Sequence, residues 1–128
     1  MKRVSILIGI SILVLVAGIL IALYRYAVGS PYLISAEEAR QRLKENQVDV
    51  VLDVRTDVER ATLGYYPGSI HIQSAALEQE IPRQYADKQT RFLVYCNTGQ
   101  RARAATEKLV AMGYTNVRYL VGTYRGLM

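Results

Sequence analysis

The chain is poor in cysteine, in repeats and in clustered charge. One of its 128 residues is cysteine, Cys96. A lone cysteine excludes an internal disulfide framework and any cysteine-rich zinc or iron–sulfur site. It leaves an inert buried thiol, a reactive thiol or an intermolecular bridge. The sequence shows no internal repeat, and its length allows one compact domain of about 100 residues, not a multidomain enzyme or a repeat array. Hydrophobic residues make up 51% of the chain, which excludes intrinsic disorder. No run of Lys and Arg is interleaved with aromatics, so the net charge of +5 does not mark a nucleic-acid binder. Three of the 16 basic residues, Lys2, Arg3 and Arg25, flank one greasy segment; the remaining 13 face 11 acidic residues.

That segment, Val4 to Leu23, has no charge at all. Twenty residues at 1.5 Å each make about 30 Å of helix, the thickness of a bilayer core. Tyr24, Arg25 and Tyr26 follow it as an interfacial anchor. The small residues Ala27, Val28 and Gly29 resemble a signal-peptide cleavage site. A secretory apolar core, however, runs about 7–15 residues, shorter than this one. The reading is an uncleaved anchor over residues 1–27, a linker over 28–31 and a soluble domain over 32–128. The short basic N-terminus stays in the cytoplasm and sends the domain outward, although Arg40, Arg42 and Lys44 pull the other way.

The soluble part alternates helices and strands. Ser35-Ala-Glu-Glu38 has capping-box form and starts a helix running to Glu45; Thr56-Asp-Val-Glu59 starts a second, short one. Val48–Val54 and Arg91–Tyr95 are apolar runs that suit strands buried on both faces. Ile70–Ile72 and Val117–Val121 are further strands. Ser74 caps a helix over Ala75–Ile81, and Pro82 lies just past its end. A last helix starts at Arg101 or Ala102 and reaches Met112, with Gly113 past its end. This alternation predicts an α/β fold, a parallel sheet flanked by helices and preceded by one transmembrane helix.

The segment with chemistry is Val94-Tyr-Cys-Asn-Thr-Gly-Gln-Arg-Ala-Arg103. Cys96 falls at a strand end, Gly99 lets the loop close, and the next helix aims its free N–H groups back at the sulfur. Helix N-termini and nearby cations favour a thiolate, the nucleophilic form. Arg101, and Arg103 on the same helix, supply such cations. The same site attracts an anionic substrate beyond the carboxyl ends of the strands.

Asp53-Val-Arg55, Gly64 to Ile72, Val94 to Arg101 and Gly113 to Val117 follow one another in an order that resembles a rhodanese domain. The similarity spans residues 32 to 126 and points to small single-domain thiosulfate sulfurtransferases of bacterial envelopes. It implies a persulfide cycle. Cys96 is the catalytic nucleophile, and the backbone of Asn97, Thr98, Gly99, Gln100 and Arg101 forms the substrate loop. Arg101 positions an anionic sulfur donor, a thiol or cyanide accepts the sulfur, and no metal or organic cofactor is needed. It also implies supporting roles for Asp53 and Arg55, and a domain on the outer face of a bacterial inner membrane. Phosphatases of related architecture use a longer loop, with five residues between Cys and Arg instead of the four here. The rival of another class is a non-catalytic, membrane-tethered binding module. Tyr65 and Gln73 replace the family's usual His and Pro. The chain reaches Met128 without the family's aromatic final helix, so one edge of the core is expected to be thinly covered. His71 is expected to face away from the core with no carboxylate partner.

Overall fold

A computed structural model describes residues 1–128. The first element, α1 (Lys2–Val28), is a single helix whose apolar residues point outward over nearly its whole length. It is long and apolar enough to cross a membrane, a test that a signal sequence also passes. The domain then runs α2 (Ala36–Lys44), β1 (Val50–Asp53), α3 (Asp57–Leu63), β2 (Ile70–His71), α4 (Leu77–Gln84), β3 (Phe92–Tyr95), α5 (Gln100–Ala111) and β4 (Val117–Tyr119). Short 3₁₀ turns cover Ser74–Ala76 and Tyr124–Leu127.

The four strands are parallel in the order β2-β1-β3-β4. Central β1 and β3 are buried at every position, so their apolar runs supply both faces of the sheet. Alternation sorts the residues. Val50, Leu52, Val54, Phe92, Val94 and Cys96 pack with Leu77 and Ile81 of α4 and Ala102, Ala105 and Leu109 of α5. Val51, Leu93 and Tyr95 pack on the other side with Ala39 of α2, Leu120 and Leu127. The register pairs Asp53 with Tyr95, which brings the ends of β1 and β3 to one rim.

Both N-caps lie where the sequence puts them. Ser35 accepts from the Glu38 N–H, but the Glu38 carboxylate turns to Arg42, so only Thr56 and Glu59 form a reciprocal box. Four details differ. Ser74 does not cap a helix: its hydroxyl donates to the Val54 carbonyl at 3.2 Å, and α4 begins later, at Leu77. Pro82 lies inside α4, near its end. Proline's fixed φ suits a helix, and buried Ile81 anchors the turn that Pro82 deprives of one hydrogen bond. The edge expected to be thin is covered by the Tyr124–Leu127 turn, which packs on α2 and buries Leu127. The linker does not begin free at residue 28. Helix α1 continues through Val28, Ala27 is fully buried, and its carbonyl accepts from the Tyr119 hydroxyl.

Candidate functional site

Strand β3 ends at Tyr95, and the chain turns from Cys96 through Gly99 into α5. Cys96 is a free, fully buried thiol. Gly99 takes φ +99°, a left-handed conformation that side chains disfavour. A Cβ there would also lie 2.8 Å from Val121 Cγ2 and 3.2 Å from Ala27 Cβ, so both geometry and space require glycine. The turn lets the Gly99 N–H donate to the Cys96 sulfur at 3.0 Å. Helix α5 starts one residue later, so its N-terminal dipole end adds positive potential at this loop.

The loop is held by a chain of polar contacts from the neighbouring strand end. Asp53 and Arg55, both buried, form a two-pronged pair, with Nε–Oδ1 at 2.9 Å and Nη2–Oδ2 at 2.8 Å. The Tyr95 hydroxyl donates to the same carboxylate at 3.0 Å. Burial pushes the Asp53 carboxyl up, but the Arg55 hydrogen bonds and the Tyr95 bond outweigh it and leave it below its ordinary value. Burial holds the Tyr95 phenol above its own. Arg55 also donates to the Gly64 carbonyl at 2.7 Å and to Asn97 Oδ1 at 3.3 Å. Asn97 in turn donates to Glu59 Oε1 at 3.2 Å.

Glu59 grips Arg101. Both terminal guanidinium nitrogens, Nη1 and Nη2, donate to its carboxylate at 2.8 Å. The bonds from Arg101 hold the Glu59 carboxyl down at about 2. Arg101 is therefore an ion-paired side chain beside the loop, not the unpaired cation that the sequence suggested. Thr98 and Gln100 hydrogen-bond to each other at the exposed tip. Arg103 points away from Cys96. It pairs with Glu107 at 2.9 Å, donates to the Tyr26 carbonyl and lies 4.0 Å over the Tyr26 ring. Of the sequence candidates, Asp53, Arg55, Asn97 and Arg101 thus join one polar network through Glu59, Gly99 contacts the Cys96 sulfur directly, and Arg103 ties the domain to α1.

Two participants were not foreseen. Glu59 carried a capping-box signal, which its i+3 spacing explains completely; nothing in that spacing points to Arg101. Ala27 carried no signal beyond its small size. His71 also differs from expectation: Nε2 donates to the Arg55 carbonyl at 2.7 Å, and Nδ1 lies 3.4 Å from Asp57.

Two cavities flank the loop and share Asn97. One, of about 410 Å³, is lined by Arg55, Leu63, Asn97, Thr123, Tyr124 and Arg125. The other, of about 460 Å³, lies between the loop and α1. A third, of about 280 Å³, sits by Arg42, Arg91 and Arg118, away from the Cys96 loop at the start of the strands.

A family model described as a rhodanese-like domain matches residues 35–127. The adenylyltransferase and sulfurtransferase UBA4 of Candida albicans is 26% identical over 98 residues, 71% of this chain and 22% of that protein. The chain thus spans about a fifth of that relative's length. The human single-domain sulfurtransferase TSTD1 is similar in structure, with a TM-score of 0.62, 27% identity and coverage of 76% of this chain and 95% of that one. A Rhodopseudomonas palustris protein of unknown function, described as a possible tyrosine phosphatase, shares the fold at a TM-score of 0.69. Its identity is 24%, with 83% of this chain and 86% of that chain covered.

Proposed function

The chain belongs to the rhodanese-like domain family, and on that premise we propose that it is a sulfurtransferase that carries a sulfane sulfur as a persulfide on Cys96. The observation that carries the proposal is the Gly99 N–H on the Cys96 sulfur, at the N-terminus of α5. An amide donor and a helix dipole aimed at one sulfur stabilise charge on it in both the thiolate and the persulfide.

Thiosulfate is the proposed donor. The Cys96 thiolate attacks its outer sulfur, the sulfur–sulfur bond breaks, and sulfite leaves with the electron pair. Cyanide or a thiolate then attacks the terminal sulfur of the Cys96 persulfide. The second sulfur–sulfur bond breaks and the Cys96 thiolate is restored. Covalent catalysis here divides one transfer into two displacements. The cavity beside the loop offers the donor dianion the exposed guanidinium of Arg125; Arg55 also lines it, but is buried and held by Asp53. Asp53, buried beneath Arg55, orients that guanidinium and does not touch the donor. Four residues between Cys96 and Arg101 make a tight loop, suited to one sulfur atom more than to a tetrahedral phosphate.

Helix α1 is proposed to remain attached through residues 4–23 as a single-pass anchor in a bacterial inner membrane, with the domain on the periplasmic face. The docked C-terminal end of α1 supports retention, because a cleavage after Gly29 would strip Ala27 from beneath Gly99. The test is turnover of thiosulfate and cyanide to sulfite and thiocyanate by the full chain. Thiocyanate formation that disappears in Cys96→Ser supports the proposal. Thiocyanate formation at equal rates in both proteins overturns it.

A further inference from the structure

The cavity of about 460 Å³ beside the Cys96 loop has an unusual pair of walls. Leu20, Leu23 and Tyr24 of α1 form one, and the domain forms the other, with Asn97, Thr98 and Gln100 beside Val121 and Gly122. Leu20 and Leu23 belong to the uncharged run, and Tyr24 opens its interfacial border. Leu20 lies eight residues before the end of α1, about 12 Å along the axis. The loop therefore reaches back along the span instead of standing clear of it. Two contacts fix this approach: the Tyr119 hydroxyl donates to the Ala27 carbonyl, and Arg103 clasps Tyr26. With α1 in a bilayer, the cavity opens where acyl chains meet headgroups, apolar along α1 and mixed on the domain side, where the amides and hydroxyl of Asn97, Thr98 and Gln100 stand beside Val121. A water-soluble dianion has no use for an aliphatic wall, and the cavity lined by Arg55 and Arg125 already serves one.

We propose that the cavity between α1 and the Cys96 loop admits a long-chain thiol dissolved in the bilayer, which takes the sulfur from Cys96. Its alkyl chain lies along Leu20 and Leu23, and its polar sulfur end meets Asn97, Thr98 and Gln100. The thiol loses its proton to water. Its thiolate attacks the outer sulfur of Cys96–S–SH, the sulfur–sulfur bond breaks, and Cys96 leaves as thiolate with the electron pair. The alkyl persulfide departs with the transferred sulfur and its proton. This proposal rests on the sulfurtransferase reading and on retention of α1.

The test uses the full chain in phosphatidylcholine–phosphatidylglycerol vesicles. Two probes compete for Cys96: decyl methanethiosulfonate, which dissolves in the bilayer, and sulfonatoethyl methanethiosulfonate, which stays in water. In each, the Cys96 thiolate attacks the sulfenyl sulfur, methanesulfinate leaves and a mixed disulfide forms. Cys96 is the only cysteine, so intact mass reads each rate directly. Leu20→Trp and Leu23→Trp fill the cavity, and each lowers the decyl-to-sulfonatoethyl rate ratio at least tenfold. Val14→Trp, deeper in the span, does not lower it. After loading with thiosulfate, the persulfide discharges to decanethiol, and the same two variants slow that discharge. A rate ratio unmoved by both variants, in protein that does form the persulfide, overturns the cavity proposal. A ratio that falls in protein forming no persulfide overturns the sulfurtransferase reading instead.

Discussion

Glu59 and Arg101 meet as a fork, two nitrogen–oxygen contacts of 2.8 Å each, across 42 residues of chain. The pair decides how much of the Arg101 charge reaches the thiol. A carboxylate in contact cancels much of the guanidinium's field, as Asp53 does for the buried Arg55, so the loop attracts anions mainly through its amides and the N-terminal end of α5.

Glu59→Gln should therefore strengthen anion capture. Glutamine still serves a capping box, so α3 keeps its start. The loop gains one net positive charge. A partly exposed pair of this kind is worth about 0.2–1 kcal/mol, so KM for thiosulfate should fall about 1.4- to fivefold. Steady-state kinetics at low ionic strength measure it. A KM that stays constant or rises contradicts the role assigned to this pair.

The same pair gives the domain an acid limit. The Glu59 carboxyl sits at about 2 in the folded protein against an ordinary value of 4.5. Its contribution to stability is complete above 4.5 and is lost as pH falls through about 2. Asp49, held at about 2 by Arg91, titrates across a similar window. Urea midpoints of the parent and Glu59→Gln should differ above 4.5 and converge toward 2. A gap that stays constant across that range excludes the ion pair.

Asp53→Asn should cost far more than any change at Arg101. It leaves the buried Arg55 guanidinium without its counter-charge, a loss of about 3–5 kcal/mol. The double variant Asp53→Asn, Arg55→Met removes the stranded charge and should recover more than half of that loss. Urea denaturation measures both. Equal stability of Asp53→Asn and the parent contradicts the structural role given to the pair.

How much of this was legible follows from the range of each interaction. The buried strands showed themselves because β1 and β3 take apolar neighbours on both faces and so read as unbroken runs. The two N-caps are local, each bonded to a residue three positions on, and were visible as such. The Cys96 loop was visible because strand, glycine and helix start are consecutive. Glu59 on Arg101 was not, since no local spacing links residues 42 positions apart. The docking of α1 was hidden for a related reason. It depends on a small residue, Ala27, fitting under a glycine, and apolar periodicity does not report a close approach of that kind. Arg103 reads from the sequence as a cation for the thiol, whereas it pairs with Glu107 one turn on and stacks on Tyr26, 77 residues away, a partner that no local spacing reveals.

The central claim is a sulfur carried on Cys96, and intact-mass spectrometry tests it directly. The full chain is incubated with thiosulfate, freed of reagent and weighed without reductant. The expected result is one added sulfur, about 32 Da, that cyanide removes and that Cys96→Ser does not acquire. No addition, or an addition of the same size in Cys96→Ser, would contradict the account.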